Sequence, residues 1–429
     1  MVRVLVFFAI VVAAPLLVAQ DEAGSAWQLT LRLSQVRRQT AKALQDQPDY
    51  TCLATFDRYR WLVNEPAERK LDTVRVEVAY VGGRELYSWP GAGKFSDAPL
   101  SSMVGVGLMG DGDFAVHAHN IFVSGIGAVT WAGEEQGLGS RKLWRWNYRI
   151  SPYQSRWSVQ SGGSSQTVGS EGSFWVDPQT LDLVRMETHA TDFFSAFPLK
   201  AVLSTVDYGR VHIGEQDVLL PLHAELKTTT SDGSESRNQT DYSGCRQYAG
   251  QSTISFGAPP EPAAAPPAPA PMGTVEAQLP AGLAIHIRLS DGFPLSRAAV
   301  GSAVEGTLAA PLLDAGKELA PKGAAVRGRV RLLTQDSTAG TLPGMPEKFT
   351  ELGLVFDELE FPGHLYRFAA MLKSFDTVVP GVRMDIIQER GGVAREALSP
   401  TKFPGVSVFF LDSRSSGLPK GTLMTWTTK

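Results

Sequence analysis

Cysteine is almost absent from this sequence: 429 residues carry two, Cys52 and Cys245. Two thiols cannot build an all-cysteine zinc site or the dense disulfide framework of a small secreted module. Net charge is nearly missing too. The 40 Lys and Arg against 44 Asp and Glu leave a formal −4, and residues 272–429 hold 17 basic against 16 acidic side chains. Neither half therefore offers the basic stripe that nucleic acid or an anionic membrane surface selects. Beyond residue 19 no run is apolar enough to span a bilayer. The sequence also lacks a G-x-S-x-G nucleophile elbow, and its seven histidines follow no metal or hydrolase motif. A triad assembled from distant residues stays open, because triads are recognised by geometry.

What is present begins at the N-terminus. Met1, Val2 and Arg3 precede an uncharged apolar block from Val4 to Val18, Ala19 is a small residue at the cut position, and Asp21 and Glu22 open a polar stretch. This is the pattern of a signal peptide over residues 1–19. An uncleaved anchor is the alternative, since Leu17-Val18-Ala19 is not a clean pair of alanines. No cysteine lies near the cut to carry a lipid anchor. Export would place the chain in an oxidising compartment, periplasmic or extracellular, where a Cys52–Cys245 disulfide is the economical reading and two buried free thiols the alternative.

Hydrophobic residues at 43% and charged residues at 20% suit a folded chain. The ~410 residues after the leader exceed what one core usually serves, so two domains are expected. The run APPEPAAAPPAPAPM supplies the boundary. Residues 258–272 read as a Pro/Ala-rich spacer between an upstream domain, 20–257, and a downstream domain, 273–429. The upstream domain opens with WQLTLRLSQVRRQTAKALQDQ, an amphipathic helix ending before Pro48. Strands follow. Val74, Val76, Val78 and Tyr80 alternate with polar or small residues, as do Trp144, Trp146, Tyr148 and Ile150, which predicts half-buried antiparallel strands. YTCLATFDRYR, FWVD, LDLVRMETHA, AVLSTVDYGRVHI, HAELKTTT and SESRNQTDYSGC read likewise, and a short helix is expected over Asp113 to Phe122. Downstream, Ile285, Ile287 and Leu289 alternate, Val326, Val330 and Leu332 keep step, and Leu352, Leu354 and Phe356 follow, with Gly and Pro between. The expected fold class is mainly β: a helix packed on a curled antiparallel half-barrel sheet, then a second small all-β barrel.

The helix followed by DYTCLATFDRY, the segment FWVDPQTLDLVRMET and the run DYGRVHIGEQDVLLPLHAEL resemble the LolA-like and LolB-like lipoprotein-carrier superfamily. That resemblance implies a helix in an unclosed barrel that holds acyl chains. The cysteine pair and the Trp-rich, Gly-rich centre depart from the carriers' usual pattern. The downstream segments LPAGLAIHIRL, VGSAVEGTLAAPLLDAGKELAPKGAAVRGRV, LGLVFDELEFPG and LPKGTLMTWTTK resemble the C-terminal β-barrel of TrbI-type conjugation-channel proteins. This implies a fold and an envelope-facing role. It does not imply a channel, because no long apolar helical insertion is present.

Several strings invite chemistry. Gly105, Gly107 and Gly110 spell GxGxxG, but no buried parallel strand precedes them, so a loop is the plainer reading. His117 and His119 would diverge by about 200° in a helix and could not share a metal. Asp111 and Asp113 open like a calcium loop that no glutamate completes. Glu134 and Glu135 are adjacent, so in a strand they face opposite ways. The strongest bias is aromatic. Eight of nine tryptophans lie upstream, and Phe56, Trp131, Trp144, Trp146 and Trp175 are the candidates for an apolar ligand cavity, with ordinary core packing as the alternative.

The combined expectation is an exported, non-enzymatic protein of the cell envelope with no cofactor and no metal. Its upstream half-barrel would hold a lipid, acyl or other apolar ligand, and its downstream barrel would meet an envelope protein partner. The rivals are a purely structural or protein-interaction role and, further off, an unrecognised hydrolase.

Overall fold

A computed structural model describes residues 15–92, 94–104, 108–110, 116–137, 141–161, 163–248, 275–337, 349–383, 405–412 and 415–429. Most of residues 1–19, the Pro/Ala-rich run 258–272, Gly105, Gly107, Asp111 and Asp113 lie outside them.

Helix α1, Pro15–Gln45, ends where Pro48 forbids another turn, and the Asp46 N–H closes it on the Lys42 carbonyl. Its inward stripe, Leu29, Leu33, Val36, Thr40 and Leu44, repeats every three to four residues and lies against the sheet. The upstream strands are β1 Tyr50–Trp61, β2 Arg69–Val81, β3 Arg84–Ser88, β4 Ala128–Gln136, β5 Lys142–Ile150, β6 Ser158–Ser161, β7 Ser164–Thr167, β8 Gly169–Val176, β9 Leu183–Thr191, β10 Leu199–Ile213, β11 Gln216–Thr230 and β12 Glu235–Gln247. Ten of them form one antiparallel sheet in the order β3-β2-β1-β12-β11-β10-β9-β8-β5-β4, curled into a half-barrel; β6 and β7 make a separate hairpin. The Cys52–Cys245 disulfide staples neighbouring β1 and β12 across 193 residues of sequence.

The helix expected over Asp113 to Phe122 is described only from Val116 onward, and its last turn is wider than a regular α-helix. Among the described residues a single α-turn, α3 Val116–Ala118, runs into a π-turn, His119–Val123, which buries Asn120, Ile121 and Phe122 in succession. A regular α-helix would have sent one of those three outward. A further helix, α2 Leu100–Met103, stands where the sequence suggested only a poor strand and a loop.

The downstream strands are β13 Val275–Gln278, β14 Ala284–Leu289, β15 Phe293–Pro294, β16 Ala303–Leu308, β17 Leu312–Asp314, β18 Lys317–Ala320, β19 Ala325–Ser337, β20 Phe349–Phe361, β21 His364–Arg367, β22 Ala370–Phe375, β23 Val382–Arg383, β24 Ser407–Asp412, β25 Gly417–Leu418 and β26 Leu423–Thr428. The main path β13-β21-β20-β19-β16-β14-β26-β22 curls until the Leu372 N–H of β22 donates to Ser407 Oγ at the start of β24, which itself pairs with β20. Trp426 and Phe356 fill the interior edge to face, 5.1 Å apart. One expected inward residue is corrected: a register shift between Val330 and Leu332 turns Leu333, not Leu332, into the core.

The two sheets are docked rather than merely tethered. β3 pairs with β2 only from Glu77 onward, which leaves the edge at Thr73–Arg75 open on that side. Val300 fills it as a parallel bridge: the Arg75 N–H donates to the Val300 carbonyl (2.9 Å), and the Val300 N–H donates to the Thr73 carbonyl (2.8 Å). Around this bridge Arg331 stacks over Trp89 at 5.1 Å and donates to the Met103 carbonyl. Gly301 makes the approach feasible. Its φ is +94°, and an added Cβ would stand 2.3 Å from the Arg75 carbonyl oxygen. Gly316 has a similar φ of +83° but open space around it. Gly301→Ala is therefore expected to lose about 2 kcal/mol more stability than Gly316→Ala, which carries only the left-handed strain of about 1 kcal/mol; urea unfolding of both variants measures the difference.

Candidate functional site

The half-barrel's concave face can be followed strand by strand through the pairing register. One row runs Val74, Phe56, Thr240, Ala224, Val206, Met186, Phe174, Trp146, Trp131, from β2 across to β4. Phe56 and the tryptophan pair thus share a row but stand near its opposite ends. Phe56 is 3% exposed and Trp146 2% exposed, so both are core residues. The π-turn presses Phe122 edge-on against Phe174, centroids 5.0 Å apart. At the β4 end the row is less covered. Trp131 and Trp144 are half-buried, with Trp131 packed edge to face on Trp146 at 4.9 Å and on Trp144 at 6.3 Å. The Arg32 guanidinium of α1 lies over Trp144 at 4.8 Å and near Trp131 at 5.9 Å. Trp146 Nε1 is buried without a hydrogen-bond partner among the described residues, and a buried donor left unmade is costly.

Trp175 does not join this group. It pairs with Arg145 in the register, one residue out of phase with Phe174 and Trp146, and so stands on the convex face. There its indole donates to Glu135 Oε2 at 2.8 Å while Arg145 donates to Glu135 Oε1 at 2.6 Å. The bonds from Trp175 and Arg145 hold the Glu135 carboxyl below the usual range. Glu134 faces the other way, near Lys142 at 3.8 Å.

Two residues along the strands, a second row is largely polar: Asp72, Arg58 and Asn238, then, beyond Leu226, Ser204 and Thr188, and beyond Gly172, Tyr148. Arg58 makes a two-pronged ion pair with Asp72, Nε to Oδ1 at 2.7 Å and Nη2 to Oδ2 at 2.5 Å. Asn238 donates to the Leu108 carbonyl at 2.7 Å, and Arg58 reaches Met109 Sδ at 3.6 Å, so the described part of the Gly-rich segment caps this row. Tyr148 donates to Thr188 Oγ1 at 2.6 Å, and burial keeps its phenol well above the ordinary range. The candidate list drawn from sequence omits this row. Its signal was available: Arg58 continues the inward phase of Cys52, Ala54 and Phe56, and Asp72 that of Val74, Val76 and Val78.

Beyond the polar row a satellite cluster of Val159, Val168, Phe197, Leu199 and Val202 is covered by β6, β7 and Trp157. The His117 ring meets Trp157 edge-on at 4.6 Å, and burial pulls its pKa down to about 4. His119 is lowered too, by burial and by Arg156. Among the described residues no three His, Cys, Asp or Glu side chains gather as a metal site.

Comparison of the sequence with family models and with curated proteins finds no match. Among solved structures, a LolA-superfamily protein from Nitrosomonas europaea is similar to this chain at 10% identity and a TM-score of 0.27, over 50% of this chain and 93% of that one. A DUF1329-family protein from Desulfovibrio piger is similar at 12% identity and a TM-score of 0.27, over 51% of this chain and 95% of the other. Likeness at this level says nothing about a ligand. The resemblance of the downstream strands to TrbI-type barrels has no support in these matches.

Two outcomes are expected. Asp72→Ala, which leaves a buried guanidinium uncompensated, should cost about 3–5 kcal/mol in urea unfolding, and adding Arg58→Met should recover much of it. The folded-state pKa of His117, about 4, lies below its ordinary 6.5, so the unfolded chain takes up the proton first as pH falls. That contribution to stability is complete above pH 6.5 and is lost on the way down to pH 4. His117→Gln should flatten that part of a stability-against-pH curve.

Proposed function

We propose that this chain is an exported binding protein of the cell envelope, with two units, 20–257 and 273–429, joined by the Pro/Ala spacer. In this reading the upstream half-barrel takes an apolar or acyl-bearing ligand at the Trp131–Trp144 edge, and the role is binding rather than catalysis. The observation that carries it is local. Phe56, Phe174 and Trp146 of the concave row are buried, Phe174 under Phe122, whereas Trp131 and Trp144 keep part of their indole surface open. Half-open indoles beside a helix can accept an alkyl chain at small cost in side-chain entropy, because their own packing already fixes them. The Cys52–Cys245 disulfide supports an oxidising compartment, periplasmic or extracellular.

A second reading, a structural or protein-interaction component without a small ligand, is favoured by the same closure, since Phe56 and Trp146 already pack against the chain itself. Organic extraction and mass spectrometry separate the two. The full chain, exported from a bacterial host and purified without detergent, is expected to yield a stoichiometric amphiphile, and the Trp131→Ala, Trp144→Ala double variant to lose it while keeping its far-ultraviolet circular dichroism. A ligand-free wild type with cooperative unfolding would favour the structural reading.

A further inference from the structure

We infer that Arg32 is the head-group site of that binding edge, and that the ligand is an anionic amphiphile: an alkyl chain ending in a carboxylate or a phosphate. This rests on the reading of Trp131 and Trp144 as an apolar binding edge and specifies what that edge selects.

Several of the half-barrel's arginines are ion-paired, whereas Arg37 and Arg60 each keep a buried Nε without a partner among the described residues. Arg58 is held by Asp72, Arg145 by Glu135, Arg185 by Asp207, Arg210 by Asp182 and Arg237 by Glu68. Arg32, half-buried on the inner side of α1, has no carboxylate within ion-pair distance among the described residues. Its guanidinium carbon lies 4.8 and 5.9 Å from the two indole centroids, and among the described residues its N–H donors, which form the fork that matches a carboxylate or phosphate, make no hydrogen bond. The nearest acid by register is Glu134, the cross-strand partner of Trp144, and it lies toward Lys142 instead. A place for the alkyl chain adjoins the cation. The half-open indoles of Trp131 and Trp144, beside which the guanidinium lies, are that place. Cation and half-open indoles together describe one amphiphile with negative charge at one end.

The test uses the full chain, freed of any co-purified lipid, and four twelve-carbon probes below their micellar concentrations: dodecanoate, dodecyl phosphate, dodecanol and dodecyltrimethylammonium. Calorimetric titration is expected to show the two anions binding about tenfold or more tightly than dodecanol, the fold-change of one charge-assisted hydrogen bond, with the cation weakest. Whichever anion binds more tightly distinguishes a free fatty acid from a phosphate-headed lipid. Arg32→Gln should bring dodecanoate to the affinity of dodecanol, Arg32→Lys should restore part of the gap, and Glu134→Gln should leave it intact or widen it. Equal affinity of the wild type for dodecanoate and dodecanol, or an anion preference that survives Arg32→Gln in a variant with unchanged thermal unfolding, overturns the inference while leaving the apolar edge standing. Failure of all four probes to bind removes the apolar edge as well.

Discussion

A curled antiparallel sheet has an inside that its own strands cannot cover, and the upstream architecture answers that constraint. Rows of side chains converge on the concave face from nine or ten strands, and each row must meet either another apolar group or a satisfied polar one. α1 supplies cover at one side, the π-turn at His119–Val123 presses Phe122 into the middle, and β6 with β7 folds over the far end. Where a row carries charge, as at Arg58 and Asp72, the charges neutralise each other, and Arg58 and its neighbour Asn238 also reach Met109 Sδ and the Leu108 carbonyl of the capping segment. The Trp131–Trp144 edge is where this covering thins, and that sets it apart from the rest of the face.

The same constraint explains which parts of the structure could be read from sequence. Period-two alternation with one apolar phase is a direct imprint of a half-buried strand, so the positions of β1, β2, β5 and β8 to β12 follow closely from it. α1 was legible for a similar reason, and its end was marked by Pro48. The sharing of a face by Trp144 and Trp146 was equally direct. Trp175 shows where composition misleads: a large aromatic invites assignment to a cavity, whereas its phase relative to Phe174 places it outside with Glu135 and Arg145. Arg58 and Asp72 show the converse, since charged residues in the inward phase look like interruptions of a core when they are its polar belt.

What alternation cannot give is register. The bulge that exchanges Leu332 for Leu333 adds a single unpaired residue, and nothing in the string of side chains marks its place. The π-turn is another case, because a sequence with buried residues at three successive positions fits neither helical nor strand periodicity. Docking of the two sheets was hidden for a different reason. A Pro/Ala spacer suggests separation, but the contact at Val300 is made by backbone groups, and backbone hydrogen bonds leave little trace in residue identity beyond a glycine such as Gly301.

The Val300 bridge also fixes an order of events that the finished molecule no longer displays. The strand edge at Thr73–Arg75 belongs to the first fifth of the chain, while the residue that occupies it lies more than two hundred positions later. A chain emerging from its N-terminus completes β2 long before its cover exists, and during that interval it presents bare amides and carbonyls beside an uncovered Trp89. Newly made copies crowded together at that stage could satisfy the edge on one another. The downstream sheet therefore acts, in time as well as in space, as the chain's own protection against misassembly.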